Sequence, residues 1–92
     1  MIVVDNPERH RFELEQEGSV AFSAYRREPG RITITHTEVP EIFRGKGIGS
    51  ALARGALDLV RASGDKLVAL CPFTASYVKS HPEYQDLLEP SA

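Results

Sequence analysis

The chain begins as alternation and continues with a helical period. Phe12 and Leu14 alternate with Arg11, Glu13 and Glu15, the period-2 pattern of a half-buried strand. Glu17-Gly18 supplies a turn, Val20, Phe22 and Ala24 alternate again, and Glu28-Pro29-Gly30 turns the chain a second time. The next run, Arg31-Ile-Thr-Ile-Thr-His-Thr-Glu-Val39, is rich in β-branched residues that suit a pleated surface. With turns this short, the three strands form an antiparallel meander.

Pro40 stops the third strand, because it cannot donate to a ladder and restricts Val39 before it. A 3.6-residue period follows. Ile48, Leu52, Leu59 and Val60, with Ala51 and Ala56 between them, make one apolar stripe, while Arg54, Asp58 and Arg61 fall outside it and meet solvent. Ser63-Gly64 ends this helix through a left-handed glycine cap. Lys66 to Cys71 is a short apolar run without clean alternation, as expected of a strand covered on both faces. It completes a β-α-β unit, so it runs parallel to the third strand with a right-handed crossover. Pro72 ends it, Phe73 to Ser80 reads as a short helix, and Pro82 starts a last one through Leu88. The predicted fold is α/β, with a mixed sheet in which antiparallel N-terminal strands precede the crossover.

Composition narrows the field. Ninety-two residues suit one domain, 1–92, with a single core. A formal net charge of −2 argues against a dedicated nucleic-acid binder, which carries a basic excess. No apolar run approaches the roughly 20 residues that cross a bilayer, and the N-terminus lacks the parts of a signal peptide. The lone cysteine, Cys71, cannot form an internal disulfide, which favours a reducing, cytoplasmic setting. No His or Cys spacing suggests a metal site.

Candidate chemistry gathers at the junction between the third strand and the long helix. There the sequence reads Arg44-Gly45-Lys46-Gly47-Ile48-Gly49-Ser50. The first turn of a helix offers unsatisfied N–H groups and a partial positive charge, and glycines let an anion approach the backbone. Arg44 and Lys46 add charge, and Ser50 adds a hydroxyl. A P-loop is excluded because Lys46 is followed by Gly47 rather than Ser or Thr. A dinucleotide fingerprint is excluded because the glycines stand at 45, 47 and 49, with Leu52 in the place of the third.

Arg44-x-x-Gly47-x-Gly49 resembles the Arg/Gln-x-x-Gly-x-Gly/Ala pyrophosphate motif of the GNAT acetyltransferases, and strand, proline, motif, helix and parallel strand follow in their order. With His36-Thr-Glu-Val-Pro40, Cys71-Pro-Phe73, Tyr77 and His81-Pro-Glu-Tyr84, nearly the whole chain is similar to the minimal, single-domain YjdJ-type group. The resemblance implies a truncated acyl-CoA N-acyltransferase fold and an acetyl-CoA-dependent N-acetyltransferase. It implies that Arg44, Gly45, Lys46, Gly47, Ile48, Gly49 and Ser50 hold the coenzyme A pyrophosphate. The resemblance also implies that the backbone of Glu38 and Val39 holds the pantetheine and acetyl end. A tight turn stands where larger relatives carry two helices over the acceptor, so the amine acceptor, small molecule or protein, is left open, as is the oligomeric state. A coenzyme A-binding module with little turnover is the alternative. Further rivals are an interaction domain using an exposed face of the sheet and a thiol enzyme without the cofactor, the latter leaving the basic glycine segment without a role.

Acetyl transfer to an amine requires an unprotonated nucleophile, polarisation of the thioester carbonyl and a proton for the leaving thiolate. His36 and Glu38 stand two apart and so leave the strand on one face. Ile32 and Ile34 share that face by simple alternation, which makes it the core side. The pair is then either an acid–base group or a histidine satisfied inside the core. Cys71, at the end of the second parallel strand, is either a small buried hydrophobe or a thiol beside the acetyl group. Direct transfer is preferred to an acetyl-cysteine route. Tyr77 is either the proton donor to the leaving thiolate, as the resemblance implies, or a packing residue. Phe12, Phe22, Phe43 and Phe73 are expected in the core, and His81 and Tyr84 as cap and packing residues.

Overall fold

The computed structural model describes residues 2–90. Strands β1 (Val3–Asn6), β2 (Arg11–Gln16), β3 (Ser19–Glu28) and β4 (Arg31–Glu38) are followed by a 3-10 turn, Glu41–Phe43. Helix α1 (Ile48–Ser63), strand β5 (Lys66–Ala69), helix α2 (Pro72–Ser80) and a 3-10 segment, Pro82–Leu87, complete the order. One sheet runs β1-β2-β3-β4-β5, antiparallel throughout except for the parallel pair β4 and β5. The mixed sheet and the crossover agree with the sequence reading. Strand β1 was not foreseen, because four residues with one short alternation carry little pattern.

Turn chemistry fixes the register. Glu17 and Gly18 both adopt left-handed backbone, φ 52° and 80°, the conformation that closes a two-residue hairpin loop. Gln16 therefore faces Ser19, Leu14 faces Ala21 and Phe12 faces Ser23. The buried side of β3 is consequently Ala21, Ser23 and Tyr25. The expected stripe of Val20, Phe22 and Ala24 lies on the other face, where Phe22 sits under the Arg11 guanidinium, 4.3 Å from its ring centre.

A second device acts in β4. Ala24 faces His36 but Tyr25 faces Ile34, so Thr35 has no partner and forms a bulge. One extra residue reverses the alternation beyond it. Ile32 and Ile34 stay on the core side, Thr37 joins them, and His36 and Glu38 turn to the opposite face. The expectation that His36 and Glu38 enter the core is thereby corrected: their side chains are 59% and 61% exposed.

Helices pack on the core side. Ala56, Leu57 and Val60 of α1, Val78 of α2, and Tyr84 and Leu87 of the 3-10 segment share one cluster with Phe12, Tyr25, Ile32 and Ile34. Ile48 and Leu52 close a second cluster over Leu14, Ala21 and Phe43. The buried face of α1 includes Ala53 and Leu57, while Leu59 is half-buried, so the stripe is wider than the one read from the sequence. Gly64, φ 80°, ends the helix as expected, its N–H donating to the Arg61 carbonyl. The last segment is 3-10 rather than α. Its Tyr84 N–H reaches the His81 carbonyl at 3.0 Å and Leu88 that of Gln85 at 3.2 Å, the short i→i+3 geometry common in brief connectors. Arg61 fastens it to α1 through two 2.9 Å bonds to Asp86.

Gly55 sets the distance between α1 and β1. A methyl group there would overlap the side chain of Val3. Alanine gains up to about 1 kcal/mol in helix propensity over glycine, but overpacking costs about 1–3 kcal/mol. Gly55→Ala is therefore expected to lower the thermal midpoint. In a Val3→Ala background the same change is expected to raise it or leave it unchanged, which a four-member thermal denaturation cycle measures.

Candidate active site

The pairing of β4 with β5 stops early. The last aligned pair is Ile34 with Ala69, and the Ile34 carbonyl accepts both the Leu70 and Cys71 N–H groups at 3.0 Å. Beyond it, β4 continues to Glu38 paired with β3 alone. A gap thus opens in the sheet, with the free edge of β4 on one side and the start of α2 on the other. An extended ligand entering there meets unpaired strand backbone, the geometry of strand addition.

The glycine segment stands at the mouth of this gap. Gly45 and Gly47 are left-handed, φ 76° and 72°, and the Lys46 N–H folds back to the Phe43 carbonyl at 3.1 Å. Gly47 is the N-cap of α1 and contributes no side-chain cap. The first helical bond described runs from the Ala51 N–H to the Gly47 carbonyl, 3.0 Å. The N–H groups of Ile48, Gly49 and Ser50 precede it, and the first turn holds no acidic residue. A 16-residue helix thus points an uncapped positive end outward, which suits an anion. Arg44 and Lys46 flank it. Their pairs with Glu41 at 3.3 Å and Glu17 at 3.9 Å join largely exposed side chains, and such pairs hold little energy against a doubly charged ligand.

Gly49 joins cradle and gap. A Cβ there would lie 3.1 Å from Phe73 Cζ and 3.7 Å from Val39 Cγ2. Phe73, expected in the core, is instead 42% exposed and walls this mouth, as does the exposed Val39. Pro72 at the start of α2 brings the chain out of the core, and Phe73 follows it onto the surface. Phe12 and Phe43 are buried as expected.

Cys71 lies on the helix side of the gap, 4% exposed. Its thiol donates to Thr37 Oγ1 at 3.3 Å, and Thr37 shares a 2.9 Å bond with Ser23 Oγ. Burial pushes the thiol pKa up, but Thr37, the backbone and hydroxyl of Thr74 and the Phe73 N–H outweigh it, and the net direction is down. No side-chain cap forms at the start of α2, yet its amides still favour the thiolate. Removing the Thr37 hydroxyl leaves burial less opposed. Thr37→Val is expected to move the pH midpoint of Cys71 alkylation upward and Thr37→Ser to restore it, read by iodoacetamide labelling across pH.

His36 and Glu38 are not beside this thiol. They occupy the open sheet face, Nε2 to Oε2 3.2 Å apart, with the Phe22 ring centre 6.3 Å from His36. A depression of about 390 Å3 adjoins them, lined by Val20, Phe22, Thr37, Glu38, Val39 and Pro40. Tyr77 lies one turn after Phe73 on α2. It stacks on His81 with ring centres 3.8 Å apart, and His81 also caps α2. Burial raises the Tyr77 phenol pKa, and Arg54 opposes that rise. The structure therefore separates the four candidates: Cys71 on the helix side of the gap, His36 and Glu38 on the open face, and Tyr77 against α1. Thr37 and Ser23 escaped the sequence reading, because the bulge that turns Thr37 inward has no signature in a run of alternating threonines.

A split parallel pair at the end of a mixed five-stranded sheet, with a bare helix terminus at its mouth, is a GNAT-like fold. The family model described as GCN5-related N-acetyl-transferase matches residues 11–87, and the chain belongs to that family. Protein NATD1 of Xenopus tropicalis is 39% identical over 61 residues, which are 64% of this chain and 56% of the relative. Protein NATD1 of Homo sapiens is also 39% identical over 61 residues, covering 64% and 54%. The matched segment spans about half the length of these curated relatives. The solution structure of a GCN5-like protein from Staphylococcus aureus has the same fold, with a TM-score of 0.71 over 98% of this chain and 89% of that one, at 24% identity.

Proposed function

We propose that this protein is an acetyl-CoA-dependent N-acetyltransferase acting on a primary amine in the cytoplasm. The observation that carries the reading is the uncapped N-terminus of α1 at Gly47, opening through Gly49 onto the gap between Val39 and Phe73. These residues fit the cofactor. The amides of Ile48, Gly49 and Ser50, with Arg44 and Lys46, take the pyrophosphate. The free edge of β4 at Glu38 and Val39 takes the pantetheine. When bound, acetyl-CoA supplies a thioester whose carbonyl carbon accepts the amine.

The chain's own residues then divide the work. The open face beside Glu38 admits the amine. His36 takes the proton released as the amine attacks, and the Glu38 carboxylate 3.2 Å away steadies the imidazolium. The Cys71 thiol, which donates to Thr37 on the helix side of the sheet, is the first candidate for the proton source of the leaving thiolate. Tyr77, further along α2, is the second candidate for that proton.

A second reading, a coenzyme A-binding module with little turnover, is favoured by the exposure of His36 and Glu38, since an uncovered site positions an acceptor poorly. Thiol release from acetyl-CoA, measured with a panel of lysine peptides, free N-termini, polyamines and small amines, separates the two. Amine-dependent release supports the transferase. Saturable binding without release for any amine supports the module. Intact-mass analysis under turnover adds the chemistry: direct transfer leaves Cys71 unmodified, whereas an accumulating increment of one acetyl on Cys71 indicates the covalent route.

A further inference from the structure

The depression on the open face has an apolar floor that the chemistry above leaves unused. In the ladders Phe22 faces Glu13 on one side and Glu38 on the other, and Val20 faces Glu15. Val20 and Phe22 stand two apart and so share this face, and Pro40, just past β4, joins them in the lining. The remaining lining, Thr37, Glu38 and Val39, belongs to the end of β4 that no longer pairs with β5. The depression therefore adjoins the reacting end of the gap, and its volume of about 390 Å3 suits one small molecule.

Charge enters it from one side. Glu38 is the one charged residue of the lining. Glu13 is taken by Arg11 and, at 3.2 Å, by Asn6, and the Arg11 guanidinium itself rests on the Phe22 ring. Glu15 is exposed and does not line the depression. An ammonium group thus has one carboxylate to approach, beside His36, and whatever carries it meets Val20, Phe22 and Pro40. A second ammonium on the same molecule lies over these side chains without a partner, or leaves them for Glu15. An exposed pair with Glu15 contributes little, whereas every methylene kept on the apolar floor gains by leaving water.

We propose that the acceptor is a small primary monoamine on an apolar stem, with its amino group at His36 and Glu38 and its stem on Val20, Phe22 and Pro40. Val20 and Phe22 then set a preference for such amines over diamines and polyamines. The proposal rests on the transferase reading and names its substrate class.

Steady-state acetylation of hexylamine and of hexamethylenediamine by the full chain tests it, since the two share one stem and differ by one ammonium. The wild type is expected to favour hexylamine by about tenfold in kcat/KM, chiefly through KM. Val20→Glu puts a carboxylate on the floor and is expected to reverse the order, with acetyl-CoA affinity near wild type showing that the fold is intact. Val20→Thr keeps the shape, is expected to narrow the difference, and serves where the glutamate variant does not fold. Equal or better use of the diamine by the wild type overturns the acceptor class and leaves the transferase reading intact. So does an order that neither variant changes, or turnover of lysine peptides or spermidine without hexylamine. No thiol release with any of these amines overturns both.

Discussion

Replacing Gly49 with leucine is expected to weaken acetyl-CoA binding about a hundredfold without unfolding the protein. Gly49 lies in the first turn of α1, where its absent side chain keeps open the space between Phe73 and Val39. Leucine is a good helix former, and Phe73, already at the surface, can swing away from a modest intrusion. The backbone conformation needs no glycine here, since no positive φ occurs at this position. A leucine side chain, however, fills the passage between the phosphate cradle and the gap. We expect affinity to fall roughly a hundredfold, about 2.7 kcal/mol, while the thermal midpoint without ligand stays close to wild type. Gly49→Ala is the control. Its methyl group requires Phe73 to give by only a few tenths of an ångström, and binding is expected to survive. Loss of binding in both variants would point to a structural fault, and retention in both would remove the cofactor from this mouth.

The second large effect is expected at His36. In the proposed mechanism its place on the open face lets it act on the amine rather than on the nucleotide. General base catalysis contributes about 10²–10⁴-fold, so His36→Gln is expected to lower kcat by at least about a hundredfold while acetyl-CoA affinity changes little. Glu38→Gln is expected to cost less, about tenfold, because the carboxylate acts through the imidazole. The split between kcat and cofactor binding is the informative readout. Equal loss of both would mean that the substitution disturbs β4, and unchanged turnover would take His36 out of the chemistry.

The sequence made the frame legible where one residue type has one use. Pro40 closes β4 on the chemistry of the ring, and Gly64 ends α1 because it tolerates a left-handed cap, whereas β5 stops at Ala69, three residues before Pro72, which instead begins α2. What it hid depends on register, which is a relation between strands. The face of β3 could be chosen only by knowing that Glu17-Gly18 closes a two-residue loop and sets Leu14 against Ala21. The side of His36 and Glu38 depended on the unpaired Thr35, and nothing in Thr33-Ile34-Thr35-His36-Thr37 announces which threonine is extra. That one residue exchanges the expected buried pair for an exposed one and brings Thr37 to Cys71. Phe73 escapes for a related reason, since apolar character alone does not reveal that a ring stays at the surface beside Gly49.

In the proposed function the bare amides at the head of α1 anchor the cofactor. Their engagement is visible directly in the ¹H–¹⁵N spectrum of the labelled protein titrated with acetyl-CoA. The account predicts that the Ile48, Gly49 and Ser50 amide resonances shift most and saturate together, with the Val39 and Phe73 amides following the same isotherm. Binding that leaves the Ile48 to Ser50 amides in place, or no shift anywhere at millimolar ligand, would contradict it.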